Sequence, residues 1–225
     1  MRRRLFIFPL IVIVAAVVLW TSVAVYAALT KTTAAGDEWA PVAANTIREG
    51  TTITLNASYA SVLHISCALT TTAVAQTGPK IIIQGSGNST GDEDWFEITS
   101  FSGPVGTPLV VALAGTEAIG STVLEVAATT GLFDDDGVRN ILILDDTVAD
   151  SELCTLVSHV AATSVTIQDP TTNAHTVADS ICDMVSTWTI SIPFGVYRVR
   201  VIYDNTYDAD AGIHTYCRVS TVTGI

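Results

Sequence analysis

The chain reads as an all-β protein: a β-sandwich of jelly-roll-like type carrying an inserted small β-barrel-like domain, preceded by an N-terminal signal or anchor helix. Three observations predict this. Long stretches alternate apolar and polar residues with a period of two, the signature of a strand. Shorter apolar runs in the middle of the chain are punctuated by Asp, Asn, Gly and Pro, the residues that favour turns. After residue 31 there is no apolar stripe of helical spacing and useful length. The 225 residues are 49% hydrophobic and only 14% charged, ample material for a buried core.

The elements follow in chain order. Arg2, Arg3 and Arg4 precede an apolar run from Leu5 to Trp20, and no charge appears before Lys31. Val25-Tyr26-Ala27 supplies the small and β-branched residues that a signal peptidase reads, so residues 1–27 are expected to be a signal peptide cleaved after Ala27. An uncleaved membrane anchor is the alternative, because Leu5 to Thr30 is long enough to span a bilayer. Either reading makes the rest extracellular or exposed at the cell surface. Residues 28–50 are rich in Ala and Thr, contain Gly36, Pro41 and Gly50, and read as a linker or N-terminal arm.

Residues 51–102 and 187–225 are expected to build the sandwich. Leu63, Ile65, Cys67 and Leu69 alternate with smaller or polar residues; Tyr197, Val199, Val201 and Tyr203 share one face, with Arg198 and Arg200 pointing away. Residues 103–186 form the inserted unit. Its strands are expected at Thr122–Ala127, Asn140–Leu144, Glu152–His159, Ser164–Gln168 and Ser180–Val185, a spacing that suits a small barrel or compact sheet.

The stretch Ser121-Thr-Val-Leu-Glu-Val-Ala-Ala-Thr-Thr-Gly131, then Asn140-Ile-Leu-Ile-Leu-Asp-Asp146, Ser151-Glu152 and Thr163-Ser-Val-Thr-Ile167 resembles a small β-module. Such modules recur in tail and other virion proteins of tailed phages and in related bacterial surface proteins. The flanks, through Asp94-Trp95-Phe96 and Tyr197-Arg198-Val199, are similar too. The resemblance implies a role in assembly or attachment and carries no catalytic residues.

Four cysteines, an even set, suit an oxidising compartment. Sequence order allows three pairings. Cys67 and Cys217 both share a face with core residues of the outer sandwich, whereas Cys154 and Cys182 both fall in the middle block. Bridges Cys67–Cys217 and Cys154–Cys182 are therefore expected, one staple for each unit. His64 with Cys67, His214 with Cys217, and Cys154, His159, His175 and Cys182 are the residue types of zinc sites. On a strand, though, positions three apart face opposite ways, which favours disulfides with incidental histidines.

Formal charge is −12. With three of the ten basic residues at the extreme N-terminus, the remainder is more acidic still, which disfavours nucleic acid and anionic lipid as partners. Membrane contact is expected only through the N-terminal segment, if it is retained. Acidic clusters occur at Asp92/Glu93/Asp94, at Asp134/Asp135/Asp136, at Asp145/Asp146 with Asp150 and Glu152, and at Asp204/Asp208/Asp210. Loop carboxylates of this kind hold calcium or simply form solvated turns. Calcium is the one cofactor suggested, best placed at Asp134–Asp136 or Asp204–Asp210. Trp95, following an acidic loop, is the best candidate for a glycan-binding ring, while Trp188 alternates with Ile190 and Ile192 and belongs to a core. Asn56-Ala-Ser58 and Asn88-Ser-Thr90 are glycosylation sequons. No nucleophile elbow, phosphate loop or His-Glu-x-x-His motif occurs, so the protein is not expected to be an enzyme. The sequence points to an exported structural subunit of a cell-surface or extracellular assembly: an appendage, coat or filament. Its partners would be copies of itself or other surface proteins. The alternatives are a surface-attachment or glycan-binding module and a phage-derived virion component.

Overall fold

The computed structural model describes residues 30–34, 36–55, 61–71, 73, 75, 77–91, 94–127, 139–160, 163–206 and 212–223. The segment read as signal or anchor lies outside them. Among the described residues no helix is long and apolar enough to cross a membrane. The protein is all-β, its strands paired antiparallel in three sheets.

The first sheet orders β1 (Thr30–Ala34), β16 (Ile213–Thr223), β5 (Ser61–Leu69) and β14 (Val185–Ile192), with β2 (Ala40–Val42) also on β16. The second orders β3 (Ile47–Glu49), β15 (Arg198–Asp204), β6 (Lys80–Ser86) and β7 (Trp95–Ser102), with β4 (Ile53–Thr54) also on β15. Alternation fixes which residues meet. In the first sheet Leu63 lies opposite Val219 and Leu69 opposite Ile213. In the second, Val201 lies opposite Ile83 and Tyr203 opposite Ile81. These inward rows pack into one core between the sheets, at 0–1% exposure. Each large aliphatic side chain buried there contributes ~1.5–3 kcal/mol. Trp188 packs against the edge of this core and stacks on Phe101, ring centroids 5.6 Å apart.

Residues 28–50 were read as a linker or N-terminal arm, and the described part of this segment pairs with the sheets of its own chain. Thr30–Ala34 pairs with Val219–Thr223, and Ile47–Glu49 pairs with Ile202–Asp204. The crossing between sheets is pinned at Asp37. Its carboxylate accepts the Thr51 N–H at 2.8 Å and the Tyr203 hydroxyl at 3.4 Å, and faces Arg48 at 3.8 Å. The Arg48 guanidinium lies 4.7 Å from the Tyr203 ring centroid. Gly36 is needed here, because a Cβ on it would sit 1.9 Å from the Cys217 carbonyl oxygen.

The third sheet orders β8 (Val110–Ala112), β13 (Ser180–Cys182), β10 (Arg139–Leu144), β11 (Glu152–Val160), β12 (Ser164–Ile167) and β9 (Val123–Glu125). Its end strands meet through a bridge between Leu113 and Val126, so the sheet curls round on itself. Leu124, Ile141, Ile143, Val165 and Ile181 fill the interior at 0% exposure. The opposite face of β10 turns Leu142 towards the first sheet, where it packs with Trp39, Ala68 and Cys182. Residues 180–185, expected as one strand, split at Asp183–Met184: β13 ends in the third sheet and β14 begins in the first.

Neither expected disulfide is present; Cys67, Cys154, Cys182 and Cys217 are free thiols. Strand register explains both absences. Cys67 lies opposite Thr215, and Cys217 opposite Ile65, so the two cysteines are diagonal neighbours on one face. Diagonal Cα atoms lie ~7–8 Å apart, whereas a bridge needs less than ~7 Å. Cys154 and Cys182 flank β10, opposite Ile141 and Leu142 respectively. Consecutive residues of β10 point to opposite faces, so these thiols face opposite sides of the sheet across two strand spacings, ~9.5 Å. Burial pushes the Cys154, Cys182 and Cys217 thiols up to about 12, and raises Cys67 as well.

Candidate functional site

At one end of the curled sheet, polar groups replace the apolar interior. Glu152 opens β11 opposite Ile143 and so shares its inward face. Asp145 follows β10, and its backbone N–H donates to Ser151 Oγ at 3.0 Å across the turn between β10 and β11. His175 is held by a two-way backbone bridge to Glu117, with N–O distances of 2.8 and 2.9 Å. Asp179 closes the turn before β13 and accepts the Thr176 N–H at 2.6 Å.

These side chains converge. His175, fully buried, sets Nδ1 3.0 Å from Asp145 Oδ2 and 3.6 Å from Asp179 Oδ2, while Nε2 lies 3.3 Å from Glu152 Oε1. Each carboxylate is also held by main-chain donors. Asp145 Oδ1 accepts Thr147 N–H at 2.8 Å, and Asp179 Oδ1 accepts Asp146 N–H at 2.9 Å. Glu152 accepts the N–H groups of Thr172 and Asn173. Burial, with the nearby Asp179 charge adding to it, raises the pKa of Asp145 against the lowering effects of Thr147 and His175. A buried charge cluster of this kind is costly unless it is fully paired.

Glu152 also lines a polar cleft of about 460 Å³ between the curled sheet and the edge of the first sheet. Trp39, Tyr216 and Arg218 form the opposite wall, with the Trp39 and Tyr216 rings stacked at 5.5 Å.

The residues singled out from sequence fare unevenly. Asp145 and Glu152 were noted in one acidic cluster and His175 apart from them, and the fold brings all three together. Asp146 and Asp150, from the same acidic run, are exposed. Asp179 was missed, since in sequence it is one polar residue in a turn; its spacing of four from His175 was the available signal. His64 and His214 lie on the face opposite Cys67 and Cys217 and bond to Thr189 at 3.2 Å and Thr70 at 2.8 Å, so neither His–Cys pair assembles. Asp204 accepts both the backbone N–H and the hydroxyl of Thr206, a solvated turn. Asp134, Asp135, Asp136, Asp208 and Asp210 lie outside the described residues. Trp95 is half-buried, with the guanidiniums of Arg198 and Arg200 4.9 and 4.3 Å from its ring centroid. Its ring therefore meets two cations of its own chain.

No family model matches the chain, and no curated protein matches it. Among solved structures it is similar to VP17, a capsid protein of bacteriophage P23-77, at 8% sequence identity and a TM-score of 0.20. That alignment covers 88% of this chain and 97% of the other.

Proposed function

We propose that this is an exported, non-catalytic structural protein, a subunit of a cell-surface or extracellular assembly that associates with copies of itself through the flank carrying β7 and β14. In this reading a jelly-roll-like sandwich carries the curled sheet as an inserted unit. The observation that carries the proposal is the edge of β14. Among the described residues it pairs only with β5, and its sequence Val-Ser-Thr-Trp-Thr-Ile-Ser-Ile has no charge, proline or glycine. Natural edge strands are commonly blunted by such residues, and an unblunted edge is a template for another strand. The third sheet touches the start of β14 where Asn140 Nδ2 reaches Thr187 Oγ1 at 3.5 Å, and Thr189 and Ser191 beyond it are exposed. Phe101 on β7 stacks on Trp188, so both sheets present an edge on this flank, and Phe194 just beyond it is 74% exposed. The buried, protonated thiols are poor nucleophiles, in keeping with a non-catalytic role. The test is the double variant Thr189→Lys with Ser191→Lys. Wild-type protein should form concentration-dependent oligomers by sedimentation velocity, and the variant should remain monomeric with an unchanged circular dichroism spectrum. A monomeric wild type, or a variant that assembles equally well, rejects the proposal.

A second reading, attachment to a surface glycan, is favoured by the Trp39–Tyr216 stack beside the polar groups of the cleft, since aromatic rings with nearby polar partners suit sugars. Glycan-array binding that disappears in Tyr216→Ala would support it; an array with no binding would remove it.

A further inference from the structure

We propose that Asp145, His175 and Asp179 form a binding site for one divalent first-row transition-metal ion, with zinc the ion that fits best. One ligand atom from each of Asp145, His175 and Asp179 lies within 4.8 Å of the other two. The separations from Nδ1, 3.0 and 3.6 Å, bracket the ~3.4 Å between neighbouring ligands of a tetrahedral ion with bonds of ~2.0–2.2 Å. The other ring nitrogen points the same way. Nε2 faces Glu152 Oε1 at 3.3 Å, the outer carboxylate that typically receives the N–H of a metal-bound histidine. With its proton on Nε2, His175 aims the Nδ1 lone pair at two carboxylate oxygens. That arrangement is repulsive unless something positive lies between them. Asp145, Glu152 and Asp179 all converge on the His175 ring, so charge balance also calls for a cation or a proton. Main-chain donors already hold both Asp carboxylates in place, so little ordering remains for an ion to impose.

The three ligand residues are buried, so the ion would sit away from bulk solvent, with a fourth position left for a water or a second carboxylate oxygen. It would tie together the end of β10, the stretch at His175 and the turn before β13. That is the stapling role expected of a disulfide in this unit, achieved by other means.

The full chain, stripped with a chelator, would be dialysed against zinc sulfate and its bound metal counted. Wild-type protein should take up one equivalent, and Asp179→Asn should bind at least tenfold more weakly. Nitrogen-15 NMR of the wild-type imidazole provides a readout that needs no variant. Zinc should move the His175 Nδ1 resonance to a metal-bound position while Nε2 keeps its proton. Free zinc a hundredfold above the dissociation constant should shift the folding equilibrium ~100-fold towards the native state. Equal uptake by the variant would place the ion on surface histidines and overturn the proposal. So would a zinc-indifferent His175 ring with both nitrogens protonated, an imidazolium clasped by carboxylates.

Discussion

At the scale of the residue, the thiols show what a sequence discloses and what it withholds. That Cys67 and Cys217 point into a core was legible from alternation, and both are buried at 0–1% exposure. Their separation was not legible, because it depends on the register of β5 against β16. The parity of Cys154 against Cys182 is set by the pairing of each with β10, which no local pattern encodes. Cys67, Cys182 and Cys217, buried and with raised pKa values, should resist alkylation in the native protein, and all four thiols should react fully after unfolding. Mass spectrometry should then find four alkylated cysteines without prior reduction; two would mean that one bridge exists. His214 carries a second prediction. Burial first, and then the nearby Arg48 charge, lowers its pKa from 6.5 to about 4. Between those values the unfolded chain holds the extra proton, so stability rises with pH. This contribution is complete above about pH 6.5 and is lost as the pH falls towards about 4. Urea midpoints across pH 4–7 should show that slope in the wild type and a shallower one in His214→Gln.

At the scale of the element, the long alternating strands were legible and the short strands of the N-terminal segment were not. The runs that became β5, β14, β15 and β16 alternate over seven to eleven residues, enough for the period to stand out. β1 to β3 span only three to five residues, in a segment rich in Ala and Thr. They are strands because β15 and β16 offer open edges, a tertiary cause invisible in local pattern. The curled sheet is held by its interior row. Ile143→Ala, which truncates a fully buried side chain there, should cost ~2–5 kcal/mol by denaturant unfolding. A loss below ~1 kcal/mol would mean that this interior is not packed as described. The buried cluster was half-legible for a related reason. Asp145 and His175 are 30 residues apart, and only the closure of the sheet brings their atoms to 3.0 Å.

At the scale of the whole molecule, the third sheet is the contrast that gives the flank its meaning. The third sheet brings its end strands together, at Leu113 and Val126, and so consumes its own edges. The paired sheets do not; among the described residues β7 and β14 each have one partner strand, and Phe101 on β7 stacks on Trp188 of β14. In the proposed assembly, the charge-free edge of β14 is the place where another strand would add. Hydrogen exchange at the outward-facing amides of Trp188–Ile192 tests this most directly. The account predicts fast exchange in dilute solution and slow exchange once the protein is concentrated enough to associate, with the Lys-substituted variant fast throughout. Exchange that is slow at every concentration, or equally fast at all of them, would contradict it.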